Sequence, residues 1–293
     1  MIVNHTSDKC KSADIVLNYR LFGNEQAVNG NEKTPVLFIH GLSYFSYDWL
    51  EFGSALCVDR MGCAMDMRGF GDSGESADDD YSIPSMAEDI KNLLDHLGWE
   101  KVILVAHSMG ARSASYFTRN NPEYVKGLVL VDWSPENAPA GSKRVVTTVA
   151  NMPDAFADLK EVMKYFGTDP DSPDGQDKLE RFKAYTKPVE AGEGITIKRS
   201  GFFKQQFIKQ LASGKAPHRG VDLWDVVRSI QVPVLLLRGT RSDLFAAETL
   251  PKMLESNALI QAQEIDAGHY IIGDNPEVSL ASMRTFIQSL ETK

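Results

Sequence analysis

Ser108 has the surroundings of a catalytic nucleophile. It follows the apolar run Val102 to Val105, and small residues, Ala106 and Gly110, stand two positions before and after it. Ala106 replaces the first glycine of the G-x-S-x-G pattern. A strand that turns this sharply into a helix holds the apex residue in a strained conformation and lifts its side chain out of the sheet. A serine held there, at a helix N-terminus, is placed to attack an acyl carbon.

His269 is the candidate general base. It lies between the last apolar strand-like run and the final helical pattern, and Gly268 before it gives the loop freedom to bring the imidazole over the sheet edge. The remaining histidines suit a base less well, because they lie in a helical pattern, next to the nucleophile, in the oxyanion loop or outside any motif: His5, His40, His96, His107 and His218.

The segment His40-Gly41-Leu42 is the candidate oxyanion loop. It follows the continuous apolar run Pro35 to Ile39, which is typical of a strand buried on both faces. A glycine at the end of such a strand lets the backbone approach a ligand closely. We expect the backbone amides of Leu42 and Met109 to be the two hydrogen-bond donors to an oxyanion.

The chain resembles the α/β-hydrolase fold family over nearly its whole length. The resemblance is carried by five segments in this order: His40-Gly41, Asp66 to Ser73, Ala106 to Gly110, Val129 to Asp132, and Gly268-His269. It implies an α/β fold in which helices flank a mostly parallel central sheet. It also implies a hydrolase with a Ser-His-Asp triad and a helical cap inserted after the sixth strand. Dehalogenases and epoxide hydrolases of this fold have aspartate at the apex, so the serine argues against both.

Two aspartates compete for the role of the triad acid. Most family members place the acid three residues after a glycine that ends a late strand, but that position after Gly239 is Ser242, and Asp243 comes one residue later. A subset of the family uses an acid after an earlier strand, and the segment that begins at Asp132 is similar to that of this subset. We expect Asp132 to accept the His269 N–H and fix its tautomer, with Asp243 as the alternative.

Strand-like and helical patterns alternate along the chain. The clearest helix spans Ser82 to Leu97, with an N-terminal cap, a proline in its first turn and Gly98 after it. Such alternation predicts a mostly parallel sheet covered on both faces, with ligands bound beyond the carboxyl ends of the strands. Ser108, Asp132 and His269 each follow such an end.

Residues 135–224 interrupt the alternation, which predicts a helical cap there and a core domain formed by residues 1–134 and 225–293. A cap over the catalytic end excludes water and sets specificity. Arginines of the cap, Arg144, Arg181 and Arg219, are candidates to bind a substrate carboxylate, against the alternative that each faces solvent. The residues that we expect to line the substrate pocket are His40, Gly41, Trp133, Arg144 and Tyr270.

Composition limits the function classes. The net charge of −9 argues against binding to nucleic acid or to anionic membranes. No phosphate loop or metal motif is present, so we expect no cofactor and no metal. The chain has no run of about 18 apolar residues and no basic, apolar start, and its three cysteines are unevenly spaced. These features favour a cytoplasmic protein that acts on a small molecule, and we expect a monomer or homodimer.

The predicted function is therefore hydrolysis of a small carboxylic ester, lactone or related acyl substrate through an acyl-enzyme. Amide-type hydrolases, C–C bond hydrolases and cofactor-free perhydrolases (haloperoxidase-like) of this fold use the same triad and stay as alternatives. A small-molecule receptor on a hydrolase fold is the alternative from another class.

Overall fold

The computed structural model describes residues 4–24, 33–190, 192–217 and 219–292. His218, one of the competing histidines above, lies outside them. Eight strands form the central sheet in the order β1-β2-β4-β3-β5-β6-β9-β10. Their bounds are β1 Thr6–Ser12, β2 Ile15–Gly23, β3 Val36–Ile39, β4 Met61–Met65, β5 Val102–His107, β6 Val125–Val131, β9 Val234–Gly239 and β10 Ile260–Ile265.

The sheet is parallel from β4 to β10, and β2 pairs antiparallel with both β1 and β4. Strands β3, β5 and β9 are buried along their whole length, as their apolar runs predict. The sequence has no apolar run over β1, because its residues TSDKCKS bury only Cys10 and Ser12. This polar strand forms the edge of the sheet, where one neighbour suffices.

Helices cover both faces of the sheet. Outside the segment between β6 and β9 they are α1 Leu50–Leu56, α2 Ile83–Leu97, α3 Met109–Asn120, α9 Thr249–Ser256, α10 Ile271–Asp274 and α11 Pro276–Glu291. The expected ends of α2 are confirmed: the Ser82 side chain accepts a hydrogen bond from the Ser85 amide, and Gly98 ends the helix at φ +67°. One apolar cluster joins α2, α3 and α9 to the sheet, and a second joins α1, α10 and α11 to the opposite face.

The chain between β6 and β9 forms a mainly helical layer. It contains α4 Pro139–Ala150, α5 Leu159–Tyr165, α6 Pro173–Tyr185, the antiparallel pair β7 Thr186–Pro188 and β8 Ile195–Ile197, α7 Gly201–Ser213 and α8 Leu223–Ser229. A separate apolar cluster links α5, α6 and β8 to Phe45 of the core. The boundary expected at 224/225 falls inside α8, whose Leu223 and Val227 pack into the cluster on the sheet. We therefore propose that the cap ends before α8.

All three cysteines are buried free thiols: Cys10, Cys57 and Cys63. Burial raises the pKa of Cys10 to about 11 and raises the pKa values of the other two thiols as well. Because the thiolate is the reactive form, we expect iodoacetamide at pH 8 to leave the folded protein unmodified and to label all three cysteines after denaturation. Mass spectrometry checks this, and rapid labelling of the folded protein contradicts it.

Candidate active site

The turn between β5 and α3 places Ser108 at its apex. Strand β5 ends at His107, α3 begins at Met109, and Ser108 between them has φ +50° and ψ −114°. A positive φ is strained for a residue with a Cβ atom. The turn also needs a glycine at position 110, because a Cβ atom there would lie 2.4 Å from the His40 carbonyl oxygen. The sharp turn that the sequence predicts is therefore present.

Ser108, His269 and Asp132 form one hydrogen-bonded chain. The Ser108 Oγ lies 2.9 Å from His269 Nε2, and His269 Nδ1 lies 2.6 Å from Asp132 Oδ2. These distances suit proton transfer from the serine and orientation of the imidazole by the carboxylate. The three residues come from loops after β5, β6 and β10, which meet at the carboxyl edge of the sheet.

Asp132 is held by two further donors. Its side chain is inaccessible to solvent, and the Gly239 amide donates to Oδ1 at 2.8 Å. The Ser242 hydroxyl donates to Oδ2, the oxygen that also faces His269, at 2.5 Å. A buried carboxylate needs such donors, because an unsatisfied buried charge is costly. These contacts fix the position of Asp132 under the imidazole.

Asp243 lies elsewhere in the site. Both of its carboxylate oxygens accept hydrogen bonds from Arg144, at 2.6 and 2.8 Å, and this ion pair is partly exposed. Ser242, which occupies the position where most family members have the acid, donates its hydroxyl hydrogen bond to Asp132. The structure thus brings Asp132 to His269 and gives Asp243 a different partner. The contact of Ser242 with Asp132 was not predicted from the sequence, although the position of Ser242 three residues after Gly239 was the available signal.

The hydrogen bond from Ser242 to Asp132 predicts that Ser242 contributes to catalysis through the carboxylate. In Ser242→Ala the carboxylate loses one of its donors, so its support of the imidazolium weakens. We expect kcat/KM for an ester substrate to fall about tenfold, the usual scale for one hydrogen bond to a charged group. Steady-state kinetics beside the melting temperature check this, and an unchanged kcat/KM in a folded variant would show that the contact has no role.

His107 holds the loop that carries His269. Its Nε2 lies 3.0 Å from the His269 carbonyl oxygen, and burial beside His269 lowers the pKa of His107 well below its usual value. His107 is therefore neutral, with the Nε2 proton donated to that carbonyl. The ring also packs against Tyr44 and Tyr270, and these contacts fix the loop after β10.

The expected oxyanion donors face the same cavity as the nucleophile. Leu42 and Met109 line it together with Ser108 and His269. Within the described residues, neither amide donates to another protein group, and Met109 N–H is the first of its helix. His40 positions the loop: its Nε2 accepts the Met67 amide at 2.9 Å, and Nδ1 donates to the Gly41 carbonyl oxygen at 2.8 Å.

The cavity has a volume of about 1070 Å³ and lies between the carboxyl edge of the sheet and helices α4, α6 and α7. Of the residues expected in the pocket, Arg144 and Tyr270 line it. His40, Gly41 and Trp133 do not. The His40 ring bonds to the Met67 amide, Gly41 packs against His107 and Ser108, and Trp133 is buried in the core cluster. Arg112, which lines the cavity from the first turn of α3, was not predicted from the sequence.

Within the described ranges, no group of three or more His, Cys, Asp or Glu side chains is placed to hold a metal ion. No helix in the same ranges is long and apolar enough to cross a membrane.

Comparison with known proteins places the chain among hydrolases. It is 28% identical over 254 residues to a 3-hydroxybutyrate-oligomer hydrolase of Cupriavidus necator, an alignment that covers 82% of this chain and 84% of the relative. It is 27% identical over 261 residues to a 2-(acetamidomethylene)succinate hydrolase of Mesorhizobium japonicum, covering 87% and 88% of the two chains. The crystal structure of an E-2-(acetamidomethylene)succinate hydrolase superposes with a TM-score of 0.81 at 25% identity, covering 97% of this chain and 100% of the other.

One protein-family model matches most of the chain. The family described as alpha/beta hydrolase fold matches residues 34–276, which include strands β3 to β10, the turn at Ser108 and the loop of His269. The predicted α/β architecture, with its mostly parallel sheet, is confirmed by this match and by the superposition above. The chain belongs to the alpha/beta hydrolase fold family and is a hydrolase of that fold.

Proposed function

We propose that the protein is a serine hydrolase that cleaves small carboxylic esters through an acyl-enzyme. The observation that carries this proposal is the hydrogen-bonded chain from Ser108 Oγ through His269 to the buried Asp132. It ends at a cavity large enough for a small organic substrate. The name of the relative that hydrolyses a 3-hydroxybutyrate oligomer is consistent with an acyl substrate.

In the acylation step, Ser108 Oγ attacks the ester carbonyl carbon while His269 Nε2 takes the hydroxyl proton. The carbonyl oxygen becomes an oxyanion and accepts hydrogen bonds from the Leu42 and Met109 amides; removing one such donor typically costs about 3 kcal/mol in the transition state. When the tetrahedral intermediate collapses, the C–O bond to the alcohol breaks and His269 returns its proton to the leaving oxygen.

In the deacylation step, water attacks the acyl carbon of Ser108 and His269 accepts one of its protons. The bond between the acyl carbon and Ser108 Oγ then breaks, the carboxylic acid leaves, and His269 gives the proton to Ser108 Oγ, so the enzyme is regenerated. Asp132 stays ionised throughout and stabilises the imidazolium that forms in each half-reaction. Helices α4, α6 and α7 border the cavity, which favours a cap formed by these helices. Such a cap limits the entry of water to the molecule used in this step.

Turnover of a small activated ester tests the proposal. With 4-nitrophenyl butyrate in excess, we expect many equivalents of 4-nitrophenol per protein and a steady rate proportional to protein concentration. A small-molecule receptor on this fold would release at most one equivalent, slowly. Release that stops at or below one equivalent, across 4-nitrophenyl esters from acetate to octanoate, contradicts the proposed function.

A further inference from the structure

Most of the arginines and lysines that border the cavity have carboxylate partners. Arg144 pairs with Asp243, and Arg181 pairs with the nearly buried Asp48 at 2.8 Å. Lys178 pairs with Asp174 at 2.8 Å. These cations are therefore already neutralised by the protein, including two of the three cap arginines considered from the sequence as carboxylate-binding candidates.

Arg112 and Arg219 also line the cavity, but neither has such a partner. Among the residues that the structure describes, neither arginine makes a hydrogen bond or an ion pair with another side chain or with the backbone. The acidic residues of the same cavity make no ion pair with either of them: Asp48, Glu51, Asp79, Asp80 and Asp177. Two guanidinium groups thus line the cavity without an ion-pair partner among the described residues.

Of the two arginines, Arg112 gives the stronger indication of a ligand site. Its Nε is shielded from solvent and has no hydrogen-bond partner, and the same holds for the Oγ of Ser113, the next residue along the cavity wall. Native proteins rarely leave such atoms unsatisfied. Burial and the nearby charge of Arg219 lower the pKa of Arg112 to about 9. An anion between the two arginines would relieve both the desolvation and the repulsion.

The cavity that Arg112 shares with the nucleophile links this site to the reaction. Arg112 lies in the first turn of α3, which begins directly after Ser108. Both line one cavity. An anion held by Arg112 therefore shares the cavity with a carbonyl group placed at Ser108 Oγ.

We propose that Arg112 and Arg219, with the Ser113 hydroxyl, form a subsite for a carboxylate of the substrate, so that the preferred substrates are short acyl esters that carry a second, free carboxylate. This inference rests on the proposed ester hydrolysis. A guanidinium group matches the geometry of a carboxylate with two parallel hydrogen bonds, which makes arginine the suitable residue for this recognition.

A matched pair of esters tests the subsite. Mono-4-nitrophenyl adipate carries the free carboxylate, and methyl 4-nitrophenyl adipate has the same acyl chain and leaving group with that carboxylate capped. We expect the wild-type protein to prefer the anionic ester by roughly 10- to 100-fold in kcat/KM, and Arg112→Gln to lose most of that preference. The ratio of the two kcat/KM values is independent of the fraction of folded enzyme, so partial misfolding of a variant does not affect it.

Arg119→Gln is the matched control, because Arg119 lies on the same helix, pairs with Asp225 and does not line the cavity. We expect it to keep the wild-type ratio, and Arg219→Gln to reduce the ratio less than Arg112→Gln does. A wild-type ratio near one, or a ratio that survives in Arg112→Gln, overturns the subsite while ester turnover itself still supports the proposed function.

Calorimetric binding of adipate, glutarate and succinate gives a readout that does not need turnover. At least one dicarboxylate should bind the wild-type protein and Arg119→Gln with similar Kd, and about tenfold or more weakly to Arg112→Gln. If neither ester is turned over but this binding pattern holds, the subsite stands and the proposed ester hydrolysis fails. If no dicarboxylate binds, or Arg112→Gln binds as wild type does, the subsite is wrong.

Discussion

Ser108→Ala is expected to lower kcat for 4-nitrophenyl butyrate by a factor on the order of 10⁶, to the level set by the oxyanion amides and by substrate binding alone. The loss is this large because the hydroxyl oxygen is the atom that forms the acyl-enzyme, and among the described residues no other side chain is hydrogen-bonded to His269 Nε2. Alanine keeps a Cβ atom, so the strained turn at φ +50° changes little.

Ser115→Ala is the control for this change. Ser115 lies on the same helix, is buried and does not line the cavity. We expect that variant to retain kcat, while Ser108→Ala retains the wild-type melting temperature but not the activity. Turnover of Ser108→Ala within tenfold of wild type would exclude the proposed acyl-enzyme mechanism.

Asp132→Asn is expected to lower kcat by roughly 10⁴-fold. An asparagine amide in that place presents an N–H group where His269 Nδ1 needs an acceptor, so the imidazole takes the wrong tautomer to accept the serine proton. The neutral side chain also gives the imidazolium no charge stabilisation. Steady-state kinetics across pH 6 to 9 measure the effect.

Asp243→Asn provides the matched comparison, since it makes the same substitution in the competing acid. Asp243 bonds to Arg144 rather than to His269, so we expect a change in kcat of less than about tenfold, the scale of one partly exposed ion pair. A larger loss in Asp243→Asn than in Asp132→Asn would reverse the assignment of the acid.

The sheet and the nucleophile turn could be predicted because local residues determine them. Buried parallel strands need uninterrupted apolar runs, and a sharp turn needs small residues around its apex; both signals are readable over β5 and the residues after it. The first strand was not predictable in this way, because its pairing with β2 depends on backbone hydrogen bonds rather than on an apolar pattern.

The pocket was harder to predict because its residues meet only in three dimensions. Nothing in the sequence near Arg144 indicates that Asp243 neutralises it, and Trp133 follows Asp132 directly yet packs into the core. Arg112 is readable as a helix residue, but its lack of a partner is a property of the folded cavity. The sequence left two aspartates as candidates for the triad acid. The choice between them depends on which carboxylate lies next to His269, and that is known only once the loops after β6 and β10 are placed together.

Covalent labelling of Ser108 is the most direct test of the central claim that His269 and Asp132 activate this serine. The protein is treated with a fluorophosphonate, and the modified peptide is mapped by mass spectrometry in the wild-type protein, Asp132→Asn and Asp243→Asn. We expect modification at Ser108 in the wild type and in Asp243→Asn, and strongly slowed modification in Asp132→Asn. An unmodified Ser108 in the wild-type protein, or modification confined to another residue, would contradict that claim.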